Sequence, residues 1–162
     1  MPDVFTKAKR SDVMSRIRSR GNRDTELALV RVFRAQGITG WRRHHSLVLK
    51  VQGSKFKVQS STARREPRPT GRVRPDFVFP KLKVAVFVDG CFWHGCPQHE
   101  TKPRNNAAFW RRKFTTNKAR DRLVTRCLRK NGWRVLRLWE HELARKNAAR
   151  LLRRIKRVIA RA

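Results

Sequence analysis

The segment KVAVFVD, residues 83–89, constrains the fold most because it is almost continuously apolar. It follows RPDFVF, residues 74–79, after the short turn at 80–82. Two apolar runs joined so tightly predict neighbouring strands. A strand without polar alternation is typical of a sheet that is covered on both faces. These residues therefore predict the centre of a layered domain.

Helical and strand patterns surround this pair of runs. Apolar spacing predicts helices over 24–37, 105–132 and 141–162, and strands over 41–49 and 133–140. The resulting order is one helix, three strands, a long helix, a strand and a final helix. Such an order indicates an α/β fold with a mixed β-sheet flanked by helices.

The length of 162 residues allows one domain with a substantial core. We expect this domain over 23–162, after a basic N-terminal arm at 1–22 that is rich in polar residues. Residues 50–74 hold many cations together with Ser, Thr, Pro and Gly, and they predict a long basic loop or hairpin inserted into the domain.

The charge of the chain indicates a polyanionic partner. There are 42 Lys and Arg residues against 11 Asp and Glu, which gives a net charge of +31 spread along the whole sequence. Nucleic acid is the expected partner, because cations that neutralise phosphates release counterions. We find no apolar run near the roughly 18 residues of a membrane span and no apolar signal core, so we expect a cytoplasmic protein without membrane contact.

The segment VDGCFWHGCPQH, residues 88–99, carries a metal-binding pattern. Cys91, Cys96 and His99 offer three ligands of the kind that Zn²⁺ prefers, and three cysteines in a reducing compartment favour metal or free thiols over disulfides. His141, between a predicted strand and helix, can supply the fourth ligand, with His94 as the competing candidate. Four protein ligands leave no open position, so the pattern predicts a structural zinc site.

Acidic residues are scarce in this chain, and a few of them form a candidate catalytic set. Asp76 begins or lies near the start of one predicted strand and Asp89 ends the next, which is the arrangement that a shared Mg²⁺ pocket beside a DNA phosphate requires. His94 follows closely and can deprotonate a water molecule near neutral pH. Glu26, near the start of the first helix, is a further candidate acid.

Several motifs together resemble one family. They are DVMSRIRSRGNRDTELAL, RPDFVF, VFVDGCFWHGCPQH, FWRRKFTTNKARDR and GWRVLRLWEHEL, which together extend from about residue 8 to 143. The chain resembles the very-short-patch repair (Vsr) endonucleases. The resemblance implies a restriction-endonuclease-like fold and Mg²⁺-dependent nicking of one DNA strand, 5′ of the mispaired T at T:G mismatches that arise from 5-methylcytosine deamination.

The resemblance also implies roles for individual residues in the reaction. Asp76 matches the Mg²⁺-ligating aspartate, and the main-chain carbonyl of Val88 falls at a second ligand position. His94 matches the histidine that activates the nucleophilic water. Asp121 matches an acidic residue that supports the metal and phosphate site, and Glu26 matches a helix glutamate close to the active centre.

Further positions match the zinc site and the DNA contacts of the family. The implied zinc ligands are Cys91, Cys96, His99 and His141. The implied DNA contacts are three aromatic residues that wedge beside the mismatch and one residue of the arm that enters from the other groove: Phe92, Trp93, Trp110 and Met14. Apolar wedges cost least at a mispair, where stacking is already weak.

Two positions depart from the expected pattern, and two other functions remain open. Asp89 replaces a histidine found in some family members, and Cys127 has no assigned role beyond a buried thiol. The alternatives are a zinc-stabilised DNA-binding module without catalysis and a same-fold nuclease of a mobile-element or defence system. The family further implies a bacterial, nucleoid-associated protein that acts with mismatch-repair proteins and a cytosine-5 methyltransferase system. We expect a monomer, because the mismatch is asymmetric and one nick needs one catalytic centre.

Overall fold

A computed structural model of the protein describes residues 25–49, 71–99, 103 and 106–160. The predicted N-terminal arm with Met14, and residues 50–70 of the basic insertion, lie outside the described residues. The helices and strands in the described part are α1 (Glu26–Ala35), β1 (Arg42–Arg43), β2 (Leu47–Val48), β3 (Arg72–Val73), β4 (Phe77–Phe79), β5 (Val84–Asp89), α2 (Ala107–Lys130), β6 (Arg134–Trp139) and α3 (Ala148–Ala160).

The main sheet has four strands in the order β1-β4-β5-β6. Strand β4 pairs antiparallel with both β1 and β5, whereas β5 and β6 run parallel and are connected through α2. Strands β2 and β3 form a separate antiparallel pair, which brings together the two ends of the basic insertion. The predicted mixed sheet flanked by helices is therefore confirmed.

Both faces of the sheet are buried, as the apolar character of β5 predicts. Alternate residues of the central strands point to opposite sides: Val84 and Val86 pack with α1 and α3, whereas Ala85 and Phe87 face the cluster that includes Leu128 of α2. The same alternation continues in β6. Helices on both faces thus cover a strand that has almost no polar side chains, and Asp89 lies at its carboxyl end.

Two predicted elements need correction. The expected strand at 41–49 is divided, because His44 adopts a left-handed backbone conformation (φ 50°) and the chain leaves the main sheet after β1. The final helix begins at Ala148 and not at 141. The Glu142 carboxylate accepts the backbone N–H of Trp139, and the residues up to Asn147 form two short 3₁₀ turns. None of the helices within the described ranges is long and apolar enough to span a bilayer.

Candidate active site and metal centre

Asp76 is the centre of a partly buried cluster at the start of β4. The cluster, which we call the Asp76 cluster, contains Glu26, His44 and Asp76, and one ligand atom from each lies within 4.8 Å of the others. Asp76 Oδ2 accepts the backbone N–H of Val88 at 2.7 Å, which ties the start of β4 to the end of β5. Glu26 Oε2 lies 2.8 Å from Arg43 Nη2 and 2.9 Å from His44 Nε2.

The electrostatic environment of Asp76 disfavours its ionised form. Burial, together with the neighbouring carboxylates of Glu26 and Asp89, raises the pKa of Asp76 to about 6, and it outweighs the lowering effects of the Val88 hydrogen bond and of His44. The carboxylates of Asp76 and Glu26 give this cluster the oxygen donors that a hard divalent cation prefers. The residues present therefore fit a Mg²⁺ ion.

His94 lies with two carboxylates in a second cluster, the His94 cluster. Its Nδ1 is 2.5 Å from Asp121 Oδ2 and 3.6 Å from Asp89 Oδ1. Burial raises the pKa of Asp121, but the hydrogen bond with His94 and the charge of Arg137 outweigh burial and hold it below its usual range. An ionised Asp121 accepts a hydrogen bond from the Nδ1–H of His94, so His94 Nε2 is left to accept a proton.

Arg137 of β6 contacts both acids of the His94 cluster. Its Nε and Nη2 donate to the two carboxylate oxygens of Asp89 at 2.7 and 2.5 Å, and Nη2 lies 3.1 Å from Asp121 Oδ1. The guanidinium carbon also lies 4.9 Å from the ring centroid of Phe87. Asp89, which sequence analysis proposed as a catalytic acid of unknown role, is therefore engaged by a cation through both oxygens.

The four predicted zinc ligands meet in one place, the Cys/His cluster. It contains Cys91, Cys96, His99 and His141, and their ligand atoms lie within 4.8 Å of one another. His141 Nδ1 is 3.2 Å from Cys91 Sγ and 3.7 Å from Cys96 Sγ, and His99 Nδ1 is 3.7 Å from Cys96 Sγ. Ligands of a tetrahedral zinc ion are separated by about 3.5 Å, so the spacing fits.

The chemistry of the thiols also fits a dication at this cluster. Burial and the adjacent Cys96 thiol raise the pKa of Cys91, against the lowering effect of the His141 backbone hydrogen bond. A bound cation reverses this effect, because thiolates are its preferred ligands. The competing candidate His94 has no part in the cluster, since its Nδ1 is directed to Asp121.

The turn between the metal ligands is held from two sides. Asn117, buried in α2, donates its side-chain N–H to the carbonyl of Trp93 at 2.8 Å. The carboxylate of Glu140 accepts the backbone N–H of Cys91 at 3.1 Å. Gly95 has a φ of 60° and is buried, a conformation that glycine adopts without strain.

Phe92, Trp93 and Trp110 form an aromatic patch together with Phe109 and Phe114. The Phe92 ring lies 5.2 Å from Trp93, 5.1 Å from Trp110 and 5.5 Å from Phe114, edge to face in each case. Helix α2 supplies Trp110 and Phe114, so Phe92 and Trp93 are half-buried, whereas Phe109 is 59% exposed.

A basic groove lies beside the His94 cluster. It shares Asp121 and Arg137 with that cluster, and α2 provides the other lining side chains, namely Arg122, Thr125, Arg126, Arg129 and Lys130. Cations that line a concave surface attract a chain of phosphates more strongly than scattered cations do.

Comparisons with known proteins agree with this geometry. A family model described as "DNA mismatch endonuclease Vsr" matches residues 46–100. The type II nicking enzyme V.NmeAIP of Neisseria meningitidis is 34% identical over 161 residues, which cover 98% of this chain and 95% of that protein. The DNA mismatch endonuclease Vsr of Escherichia coli K12 is 33% identical over 141 residues, which cover 86% of this chain and 74% of that protein. The chain belongs to the Vsr family.

Other Vsr relatives match a shorter part of the chain. The type II nicking enzyme V.NaeI of Lentzea aerocolonigenes is 55% identical over 71 residues, but the match covers only 43% of that protein. The match to V.NmeDIP of Neisseria meningitidis serogroup C covers 50% of that relative. The family and the restriction-endonuclease-like fold predicted from the motifs are confirmed.

Five residues of the site escaped sequence analysis. Three contact the predicted acids, namely Arg43, His44 and Arg137. The other two, Asn117 and Glu140, hold the turn of the Cys/His cluster. Arg137 was hidden by composition, because one more arginine in a chain with 42 basic residues carries no signal of its own. Its position did carry a signal: alternation along β6 places it on the inward face with Val135.

Proposed function

We propose that this chain is a Mg²⁺-dependent DNA endonuclease that nicks one strand 5′ of the mispaired T at T:G mismatches. The observation that carries the proposal is that two acidic clusters lie at the carboxyl end of β5, in a chain otherwise dominated by cations. Asp76 accepts the backbone N–H of Val88 there, and Asp89, His94 and Asp121 form the second cluster beside it. Each buried acid beside a polyanion weakens binding, so a cluster of them points to a reaction.

Asp76 and the main-chain carbonyl of Val88 are the residues that would hold Mg²⁺. When bound, the ion polarises the scissile phosphate and stabilises the charge that develops on it. The hydrogen bond from Val88 N–H to Asp76 Oδ2 supports this assignment, because it holds the carboxylate next to the backbone of β5. Glu26, paired with Arg43 and His44, serves as the supporting acid of this pocket.

His94 acts as the general base. Its Nδ1–H donates to the ionised Asp121, so Nε2 takes a proton from the water that attacks phosphorus in line with the leaving oxygen. The carboxylate of Asp121 stabilises the imidazolium that results, without itself taking the proton. This assignment gives His94 and Asp121 distinct roles in one step.

The basic groove and the aromatic patch are the proposed DNA contacts. Cations of the groove neutralise phosphates of the nicked strand, whereas Phe92, Trp93 and Trp110 contact the distorted base step at the mispair. These three rings are half-buried, and Phe92 packs edge to face on both Trp93 and Trp110, so binding does not require their extraction from a core. Phe109, the most exposed ring of the patch, joins this set.

A substrate produced by deamination of 5-methylcytosine also fixes the setting in which the enzyme works. Formation of this substrate requires a cytosine-5 methyltransferase in the same cell. Repair of the nick requires proteins that resynthesise the strand. We propose that the protein acts as a monomer at the bacterial chromosome, because the mismatch is asymmetric and one nick needs one catalytic centre. The zinc in the Cys/His cluster is structural.

The test is a nicking assay on a T:G heteroduplex with Mg²⁺. Asp76→Asn and His94→Ala should each abolish nicking, whereas His45→Ala, at an exposed histidine outside both clusters, should retain it. Mapping the cut by strand-specific end labels reports whether it lies 5′ of the mispaired T. Undiminished nicking by Asp76→Asn would remove the catalytic assignment.

A second function has a specific observation in its favour. Several relatives are named type II nicking enzymes, and that name refers to no mismatch. A nickase that recognises a sequence in paired DNA should cut a matched T:A duplex as fast as the T:G duplex of the same sequence. A strong preference for the T:G duplex would exclude this second function.

A further inference from the structure

We propose that Arg137 is a positioning residue: by engaging Asp89 and Asp121 together, it fixes the orientation in which His94 presents Nε2 to the substrate. The inference rests on the proposed function, in which His94 is the base. It assigns a role to a residue in β6 that sequence analysis did not identify. It also gives Asp89, a candidate acid whose role the sequence left open, a function as the partner of Arg137.

The contacts form a closed chain from the sheet to the helix. Arg137 donates two hydrogen bonds to Asp89, from Nε at 2.7 Å and from Nη2 at 2.5 Å. Its Nη2 also lies 3.1 Å from Asp121 Oδ1. The opposite oxygen of Asp121 contacts His94 Nδ1 at 2.5 Å. One guanidinium therefore determines where the carboxylate that orients the imidazole can lie.

Sheet register explains why these groups meet. Strands β5 and β6 are parallel, with Phe87 opposite Arg137 and Asp89 opposite Trp139. Side chains two residues apart share a face, so Asp89 and Phe87 point to the same side as Arg137, which is the side of α2. Asp121 projects from α2 into this space, and the Phe87 ring lies beneath the guanidinium at 4.9 Å.

The charges of the cluster require the cation. Asp89 is 8% exposed and Asp121 is 17% exposed, so water screens neither carboxylate well. Without Arg137 the two acids repel each other, and both compete for His94 Nδ1, which already lies 3.6 Å from Asp89 Oδ1. With Arg137 in place, Asp89 is engaged through both of its oxygens and only Asp121 remains to orient the ring.

The first experiment compares Arg137→Gln with wild type in single-turnover nicking and in DNA binding. We expect the rate to fall about 100-fold, since small displacements of a catalytic group have costs of this size. DNA affinity should change far less, because the donors of Arg137 are occupied by carboxylates. Arg134→Gln is the matched control: it removes an arginine of the same strand that contacts a backbone carbonyl, and it should nick normally.

A second readout reports the imidazole itself. NMR of ¹⁵N-labelled full-length protein reports the two ring nitrogens of His94, whose signals are assigned from their loss in His94→Gln. We expect the Nδ1–H tautomer in wild type and a mixture of the two tautomers in Arg137→Gln. Arg137→Lys keeps the charge but loses the two-pronged contact, and it should show intermediate losses; it decides the matter if Arg137→Gln does not fold. Asp89→Asn added to Arg137→Gln should recover about tenfold in rate, because the uncompensated carboxylate is gone.

Two results would overturn the inference. One is a wild-type nicking rate in Arg137→Gln. The other is a lost rate with an unchanged His94 tautomer, since Arg137 would then act by another route. A wild-type chain that nicks no DNA at all would instead refute the proposed function, while the tautomer comparison would still decide whether Arg137 orients His94.

Discussion

Replacement of Asp76 by Asn should stabilise the protein while abolishing nicking. Burial beside Glu26 and Asp89 raises the pKa of Asp76 from 3.8 to about 6. A shift of about two units corresponds to about 3 kcal/mol at 1.36 kcal/mol per unit, which is the cost of ionising this group in the folded chain. Asparagine keeps an oxygen that accepts the Val88 N–H but carries no charge, so it avoids this cost.

The pH dependence of this effect has a definite sign. The pKa of Asp76 is higher in the folded than in the unfolded chain, so its contribution to stability is complete below about pH 3.8 and is lost as the pH rises through about 6. The free energy of unfolding of Asp76→Asn should therefore exceed that of wild type increasingly between pH 4 and 6. Above pH 7 the excess should stay constant at about 3 kcal/mol, equivalent to about 6–12 °C in Tm.

The assay is thermal unfolding of wild type and Asp76→Asn across this pH range in buffer without Mg²⁺. Chelators are left out because they would also remove zinc. Added Mg²⁺ should raise the Tm of wild type more than that of Asp76→Asn, because binding removes the cost of the buried charge. Asp76→Ala is the control: it leaves the Val88 N–H without its partner and should gain less. A stability difference that is flat from pH 4 to 8 would refute this account of Asp76.

Four further predictions concern residues around the two centres. Purified protein should contain about one zinc ion per chain. The variant His141→Ala should lower both the zinc content and the Tm, whereas His45→Ala should change neither. A normal zinc content in His141→Ala would exclude His141 as a ligand. Burial raises the pKa of Glu142, but the Trp139 N–H and Arg154 lower it more, so the pKa lies below its usual value in the folded chain. The ionised Glu142 therefore contributes to stability above about pH 4.5, and this contribution is lost as the pH falls through the folded pKa. Because Arg154 is 37% exposed, Glu142→Gln should cost less than about 1 kcal/mol at pH 7 and nothing near pH 2, as denaturant titrations can test. Asn117→Ala should cost about 1–2 kcal/mol by leaving the Trp93 carbonyl without its donor, and slower nicking should accompany this loss; a wild-type rate would show that the turn needs no such support. Phe109→Ala should weaken binding to T:G DNA more than to matched DNA, and an equal effect on both would remove Phe109 from the mismatch contact.

The sheet and the metal-binding turn were predictable because their signals are local. Residues 83–89 are apolar on both faces, and a strand of that kind can be satisfied only between two layers. Cys91, Cys96 and His99 lie within one turn, where spacing alone brings their ligand atoms together. The start of α3 was mispredicted because helical periodicity does not register Glu142, whose carboxylate binds the backbone of Trp139 and holds the chain in a short 3₁₀ turn.

The partners of the acids were not predictable, because they depend on register across the sheet. Arg137 meets Asp89 only because β5 and β6 pair in parallel with Phe87 opposite Arg137, a relation that spans a 24-residue helix. His44 reaches Glu26 only because its left-handed backbone turns the chain beside α1. In a chain with so many cations, charge alone cannot single out the one that contacts two acids.

The proposed zinc ligands and the proposed catalytic base share a single turn of backbone, and this would link their functions. His94 lies between Cys91 and Cys96, its N–H donates to the carbonyl of Gly90, and the N–H of Cys96 donates to the carbonyl of Cys91. Ligation at both cysteines therefore fixes the backbone on either side of His94, while Arg137 and Asp121 fix its ring from the sheet and the helix. Because the ring is oriented by one set of contacts and its backbone by the other, loss of either should lower the rate of the chemical step more than the affinity for DNA.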